Sequence, residues 1–177
     1  MTDWHEVFAP VRKELDIWLR DGQRAKLWLR DDDAVHPTDA LTRLVSISGA
    51  ANVPLLLCVV PEPTGDALRD ALEAHKHVRV AVHGYAHQNH APPGEKAQEL
   101  GAHRPVAEVV GELQRSRAKL LDLYGERLSA ILVPPWNRIC ADAIVHLPKL
   151  GFSGISTFGA AHEADGIADL VQLNTHL

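Results

Sequence analysis

The sequence predicts an α/β protein built on a mostly parallel sheet, and three observations carry that expectation. Apolar runs of strand length alternate with segments of helical periodicity, and such alternation implies parallel strands joined by crossover helices. The stretch VPLLLCVVP at 53–61 is apolar without a break between its bounding prolines, as a strand covered on both faces requires. Residues able to do chemistry gather just after the strands, where ligands sit in folds of this kind.

The elements follow in order. Residues 3 to 20 place Trp4, Val7, Phe8, Val11, Leu15, Trp18 and Leu19 at helical spacing with Gly22 as a stop, and Trp4 and Trp18 are expected in the core. KLWLRDDD (26–33) reads as a short strand ending in acid, and TDALTRLVSISGA (38–50) as a helix capped by Thr38. After the strand at 53–61 come a helix over 64–75 and a strand over 77–84. Residues 84 to 104 are polar with proline and glycine, a loop long enough to suggest function. PVAEVVGELQRSRAKLLDLYG (105–125) is an amphipathic helix with proline at its start and glycine past its end. Strands at 128–136, 152–159 and 168–176, with a helix at 141–151, complete the pattern.

The bulk properties narrow the function. The 177 residues suffice for one domain with a proper core. A net charge of -5 argues against nucleic acid or an anionic membrane as partner. Cys58 and Cys140 sit in apolar runs and are expected as buried free thiols rather than a disulfide. The N-terminus is charged from its third residue and has no signal-peptide core, and no run reaches the ~20 apolar residues of a membrane helix. The expectation is a cytoplasmic protein. Eleven histidines are the unusual feature, so their placement matters.

The strand at 26–33 ends in Asp31-Asp32-Asp33, and the one at 77–84 runs into His83-Gly84-Tyr85-Ala86-His87. The strand at 128–136 ends in Pro134-Pro135-Trp136-Asn137-Arg138, and the last in Asn174-Thr175-His176. Two neutral imidazoles and a carboxylate make a three-ligand metal site that leaves room for water. A second carboxylate beside them can act as general base. Adjacent strand residues point to opposite faces, so neighbouring aspartates need a bend to share one pocket. The bland readings are a solvated acid cluster for Asp31 to Asp33 and simple packing for Trp136. His90 is left out of the metal set, and His5, His75, His77, His103, His146 and His162 are expected at the surface.

RDDDA, HGYAHQNH, VPPWN and NTH, in this order, resemble the motifs of the polysaccharide deacetylase family (the NodB homology domain, carbohydrate esterase family 4). The resemblance spans about residues 26 to 176 and implies a distorted or incomplete (β/α) barrel that removes N-acetyl groups from amino sugars. It implies one divalent metal, zinc first with cobalt, manganese or nickel as other options, held by Asp33, His83 and His87. Asp32 would be the catalytic base and His176 the general acid. A register shifted by one would give Asp31 and Asp32 the roles of base and ligand. Pro135 and Trp136 would wall the substrate pocket, with the Trp136 N–H facing the oxyanion.

Two departures stand out. The family's third-motif arginine, which orients the base, is Val133 here, and Arg30 or Arg138 are the candidates to replace it. The second-motif serine is Gly84. The expected substrate is a small molecule or oligosaccharide bearing an N-acetyl group; the oligomeric state is left open. The alternatives are a catalytically weakened metal- or carbohydrate-binding protein, and a metal-dependent hydrolase of another amide or ester. One deacetylase-like domain is expected over 1–177. Because His176 lies one residue from the end, that domain is expected either to lack its C-terminal segment, the favoured option, or to have this edge covered by another subunit.

Overall fold

The computed structural model describes residues 2–159 and 170–174. Two N-terminal helices, α1 (Trp4–Val7) and α2 (Ala9–Arg20), precede β1 (Leu29–Ala34), α3 (Asp39–Ala50), β2 (Leu55–Val59), α4 (Asp66–Leu72) and β3 (Val78–Val82). The second half contains α5 (Val106–Tyr124), β4 (Leu128–Leu132), α6 (Ala141–Ile144), β5 (Gly154–Ile155) and β6 (Val171–Gln172). All neighbouring strands are parallel, in the order β1-β2-β3-β4-β5-β6. A doubly wound sheet would reverse its strand order at a switch point. Strictly sequential order is instead the winding of a (β/α) barrel, and the described part is an open arc with β1 and β6 at its edges.

The two faces of this arc differ. Leu55, Leu57, Val59, Val78, Val80, Val82 and Leu132 face the helices and share one core with Leu41, Leu68, Leu113 and Leu120. The opposite face carries a smaller cluster of Leu56, Cys58, Ala81 and Val133. Both faces of β2 are therefore covered, which is why it reads as unbroken apolar sequence. Leu57, fully buried at the centre of β2, should be costly to truncate. Leu57→Ala is expected to lower the unfolding free energy by about 2–5 kcal/mol, measured by denaturant titration.

Local signals account for most boundaries. The Thr38 hydroxyl accepts the Leu41 N–H and starts α3. In α5 the buried Val109, Leu113, Ser116, Leu120 and Tyr124 follow the helical repeat, and Gly125 ends it at φ 53°. The helix expected over 141–151 breaks into α6 and a separate turn at Pro148–Leu150, because Pro148 brings no N–H and its ring collides with the preceding turn.

Three expectations are corrected. Trp4 and Trp18 are not in the core: no residue of α1 or α2 is buried. Trp4 stacks on Phe8, and the Trp18 indole donates to Glu14. Periodicity reveals that a helix has an apolar side but not whether anything covers it. His77 is not at the surface either; its ring is half-buried against Gly49 and 3.0 Å from the Ser48 hydroxyl. Cys58 is buried, whereas Cys140 is only partly so; both thiols are free.

Candidate metal and catalytic site

The site lies at the carboxyl ends of β1, β3 and β4, on the face opposite the helices. Parallel pairing sets Arg30 beside Leu56 and Asp31 beside Leu57, so Arg30 joins the site face while Asp31 lies on the helix side. A regular strand would send Asp33 to the helix side as well. Instead, three steps along β1 from Asp31 to Ala34 match two along β2, from Leu57 to Val59. This bulge, with Asp33 at φ 68°, supplies the bend that neighbouring aspartates need.

Asp33 Oδ1 then lies 2.9 Å from His83 Nε2 and 3.0 Å from His87 Nε2. One ligand atom from each of the three residues falls within a 4.8 Å group. His83 follows directly on β3 and is 2% exposed, His87 is 25% exposed, and Asp33 opens to solvent at 65%. His83 Nδ1 is 2.8 Å from the Val133 carbonyl. A carbonyl only accepts, so Nδ1 carries the proton and the neutral ring turns a bare Nε2 towards Asp33. Burial pushes the His83 pKa down, outweighing the upward pull of Asp32 and Asp33, and so favours that neutral ring. Two acceptors facing each other at 2.9 Å repel unless a cation lies between them. The donor set and its tautomer thus fit a divalent metal.

Asp32 is held differently. Its Oδ2 accepts from Arg30 Nη2 at 2.8 Å, while its Oδ1 is buried without a hydrogen-bond partner among the described residues. Arg30 is 7% exposed. It also donates to Ser156 Oγ at 3.0 Å and Asn137 Oδ1 at 2.9 Å, and the Ser156 hydroxyl in turn donates to the Leu173 carbonyl. Cys58 lies close by; burial first, then the Asp32 charge, pushes its thiol pKa well up, so it is neutral. Asp31 is also raised, by burial and then by Asp32 and Asp33. Arg138 points elsewhere, donating to the Ala97 carbonyl. Of the two arginines considered for the base, the geometry brings only Arg30 to Asp32.

Pro134 and Pro135 lead into Trp136 and Asn137, both in the left-handed region at φ 54° and 57°. The Trp136 ring packs on His87 with centroids 4.2 Å apart. Asp33, His87, Trp136 and Asn137 are four of the five non-glycine residues with positive φ among the described residues. Such backbone costs about 1–3 kcal/mol per residue and persists only where the surroundings hold it. Its concentration here singles out this region as the candidate site. His176, the expected acid, lies outside the described residues.

Sequence reasoning missed Glu99. It is 1% exposed, and its carboxylate accepts three backbone N–H groups from Tyr85, Ala86 and Gln88. Ser156 was missed too. The one signal for Glu99 was indirect: glycine standing at position 84 where the resembled family has serine.

Several solved structures share this architecture. The deacetylase PplD of Streptococcus pyogenes, in complex with acetate, is 18% identical with a TM-score of 0.66, the match covering 93% of this chain and 71% of that one. The BpsB deacetylase domain of Bordetella bronchiseptica is 16% identical with a TM-score of 0.62, covering 99% and 85%. The Bc1960 peptidoglycan N-acetylglucosamine deacetylase is 12% identical with a TM-score of 0.60, covering 99% and 82%. The chain has the polysaccharide deacetylase fold. No family profile and no curated protein matches it by sequence. At such low identity the deacetylase fold is retained while individual motif residues, Gly84 and Val133 among them, differ from the family pattern.

Proposed function

We propose that the protein is a metal-dependent hydrolase that removes the acetyl group from an N-acetylated amino sugar or a related compound. The observation that carries this reading is the convergence of Asp33, His83 and His87 next to an Asp32 carboxylate held by Arg30. A divalent cation held by those three side chains would supply Lewis-acid polarisation and acidify water. Asp32 takes the proton of the attacking water while Arg30 holds its carboxylate in place. As the oxygen–carbon bond forms, the Trp136 N–H donates to the developing oxyanion. His176 gives its proton to the amide nitrogen, the carbon–nitrogen bond breaks, and acetate and a free amine leave. Pro135 and the Trp136 ring form the wall against which the acetyl group lies.

The Arg30 placement favours a working enzyme over a weakened binding protein, since the arginine missing at Val133 has a counterpart on β1. Arg30→Lys keeps the charge but loses the planar fork that reaches Asp32, Ser156 and Asn137 together. This variant is expected to lose about 10–100-fold in kcat with metal content and KM unchanged, read by steady-state kinetics.

No helix among the described residues is long and apolar enough to cross a membrane. The substrate we propose is a small, soluble N-acetylated sugar or related metabolite. The test is metal analysis of the purified protein combined with an acetate-release screen over N-acetylated monosaccharides, oligomers and non-sugar amides. Bound metal with acetate release from sugars supports the reading, and with it His176→Ala should be slower. Metal without release from any substrate would favour the binding protein, and release from non-sugar amides alone another amidase.

A further inference from the structure

We infer that Glu99 is the positioning residue of the loop that carries His83 and His87. This rests on the reading of those two histidines as metal ligands. Glu99 Oε1 accepts the Ala86 N–H at 2.8 Å and the Gln88 N–H at 3.2 Å, and Oε2 accepts the Tyr85 N–H at 3.0 Å. These donors flank His87, whose backbone stands at φ 55°. An acceptor-only carboxylate has room for all three bonds, and a carboxamide does not. The loop between the two imidazoles is therefore shaped around one buried side chain.

Gly84 is the other half of the arrangement. At φ 65° a Cβ on this residue would meet Glu99 Oε2 at 2.0 Å and Pro135 Cγ at 2.6 Å. A serine there and the carboxylate in its present place exclude each other. Glu99 is itself delivered by a pinned segment. Asn89 Oδ1 accepts the Gln98 N–H, Arg138 donates to the Ala97 carbonyl, and Leu100 pairs with Ile139. Arg138 thus serves the ligand loop, which explains why it does not reach Asp32.

The experiment measures zinc affinity of the full chain by competition with a chromophoric chelator, alongside thermal unfolding of the metal-free protein. Glu99→Gln nearly preserves size and shape but sets an NH2 donor against at least one of the three N–H groups. It is expected to leave the metal-free unfolding temperature within a few degrees while zinc affinity falls about 10–100-fold. Gly84→Ser should lower affinity as well, because its Cβ would displace the Glu99 carboxylate from the loop. Glu99→Gln that binds zinc as tightly as the parent overturns the inference. Should that variant not fold, Glu99→Asp decides: weakened zinc binding supports the inference and parental binding overturns it. A parent whose zinc is unaffected by replacing His83 and His87 overturns the reading of the site, and the inference with it.

Discussion

Alanine at both His83 and His87 should abolish stoichiometric zinc binding and, with it, acetate release. The two imidazoles supply two of three convergent ligand atoms, and Asp33 is the most exposed of the set. A single carboxylate open to water cannot hold a zinc ion against chelators. Metal analysis after dialysis against a mild chelator checks this directly. The double variant should contain no more zinc than a denatured control; parental zinc content would place the metal elsewhere. His83 is buried and its Nδ1 donates to Val133, so the His87 single variant is the milder probe of the fold.

Asparagine at position 32 should give the second largest effect. Asp32→Asn keeps an oxygen for Arg30 and leaves Asp33, His83 and His87 untouched, so zinc should stay bound. It cannot take a proton from water, so kcat should fall by about 10²–10⁴. Steady-state rates with zinc content measured on the same sample separate the two quantities. Loss of zinc with the rate would instead assign Asp32 to the metal, in the register that also uses Asp31. The bulge argues against that register, because Asp31 pairs with Leu57 on the helix side.

The buried elements were the most legible. The apolar run of β2, the cap at Thr38 and the repeat of α5 are local patterns, and local patterns are what secondary structure needs. The C-terminal strands were less so. The segments expected over 152–159 and 168–176 show only Gly154–Ile155 and Val171–Gln172 as strand among the described residues. Strands of two residues leave too few alternating positions to set a boundary. The helical segment at 3–20 was found, though it divides at Phe8 into α1 and α2, but its environment was not, since Trp4 and Trp18 lie exposed.

The sequence by itself determined which residue types stand at the strand ends, and so the chemical class of the site: carboxylates on one strand, imidazoles on another, Pro-Pro-Trp on a third. Those facts are local, because each motif is contiguous. Three matters were decided only by the tertiary structure. The bulge after Asp31 turns both Asp32 and Asp33 to one face, and it is visible only against the register of β2. Arg30 rather than Arg138 reaches Asp32, because the turn after Pro135 carries Asn137 to Arg30, and Ser156 approaches from β5. Glu99 closes the loop between the two histidines from 12 residues beyond His87. Each depends on a contact between segments distant along the chain, and hydrophobic period and motif spacing hold no record of such contacts.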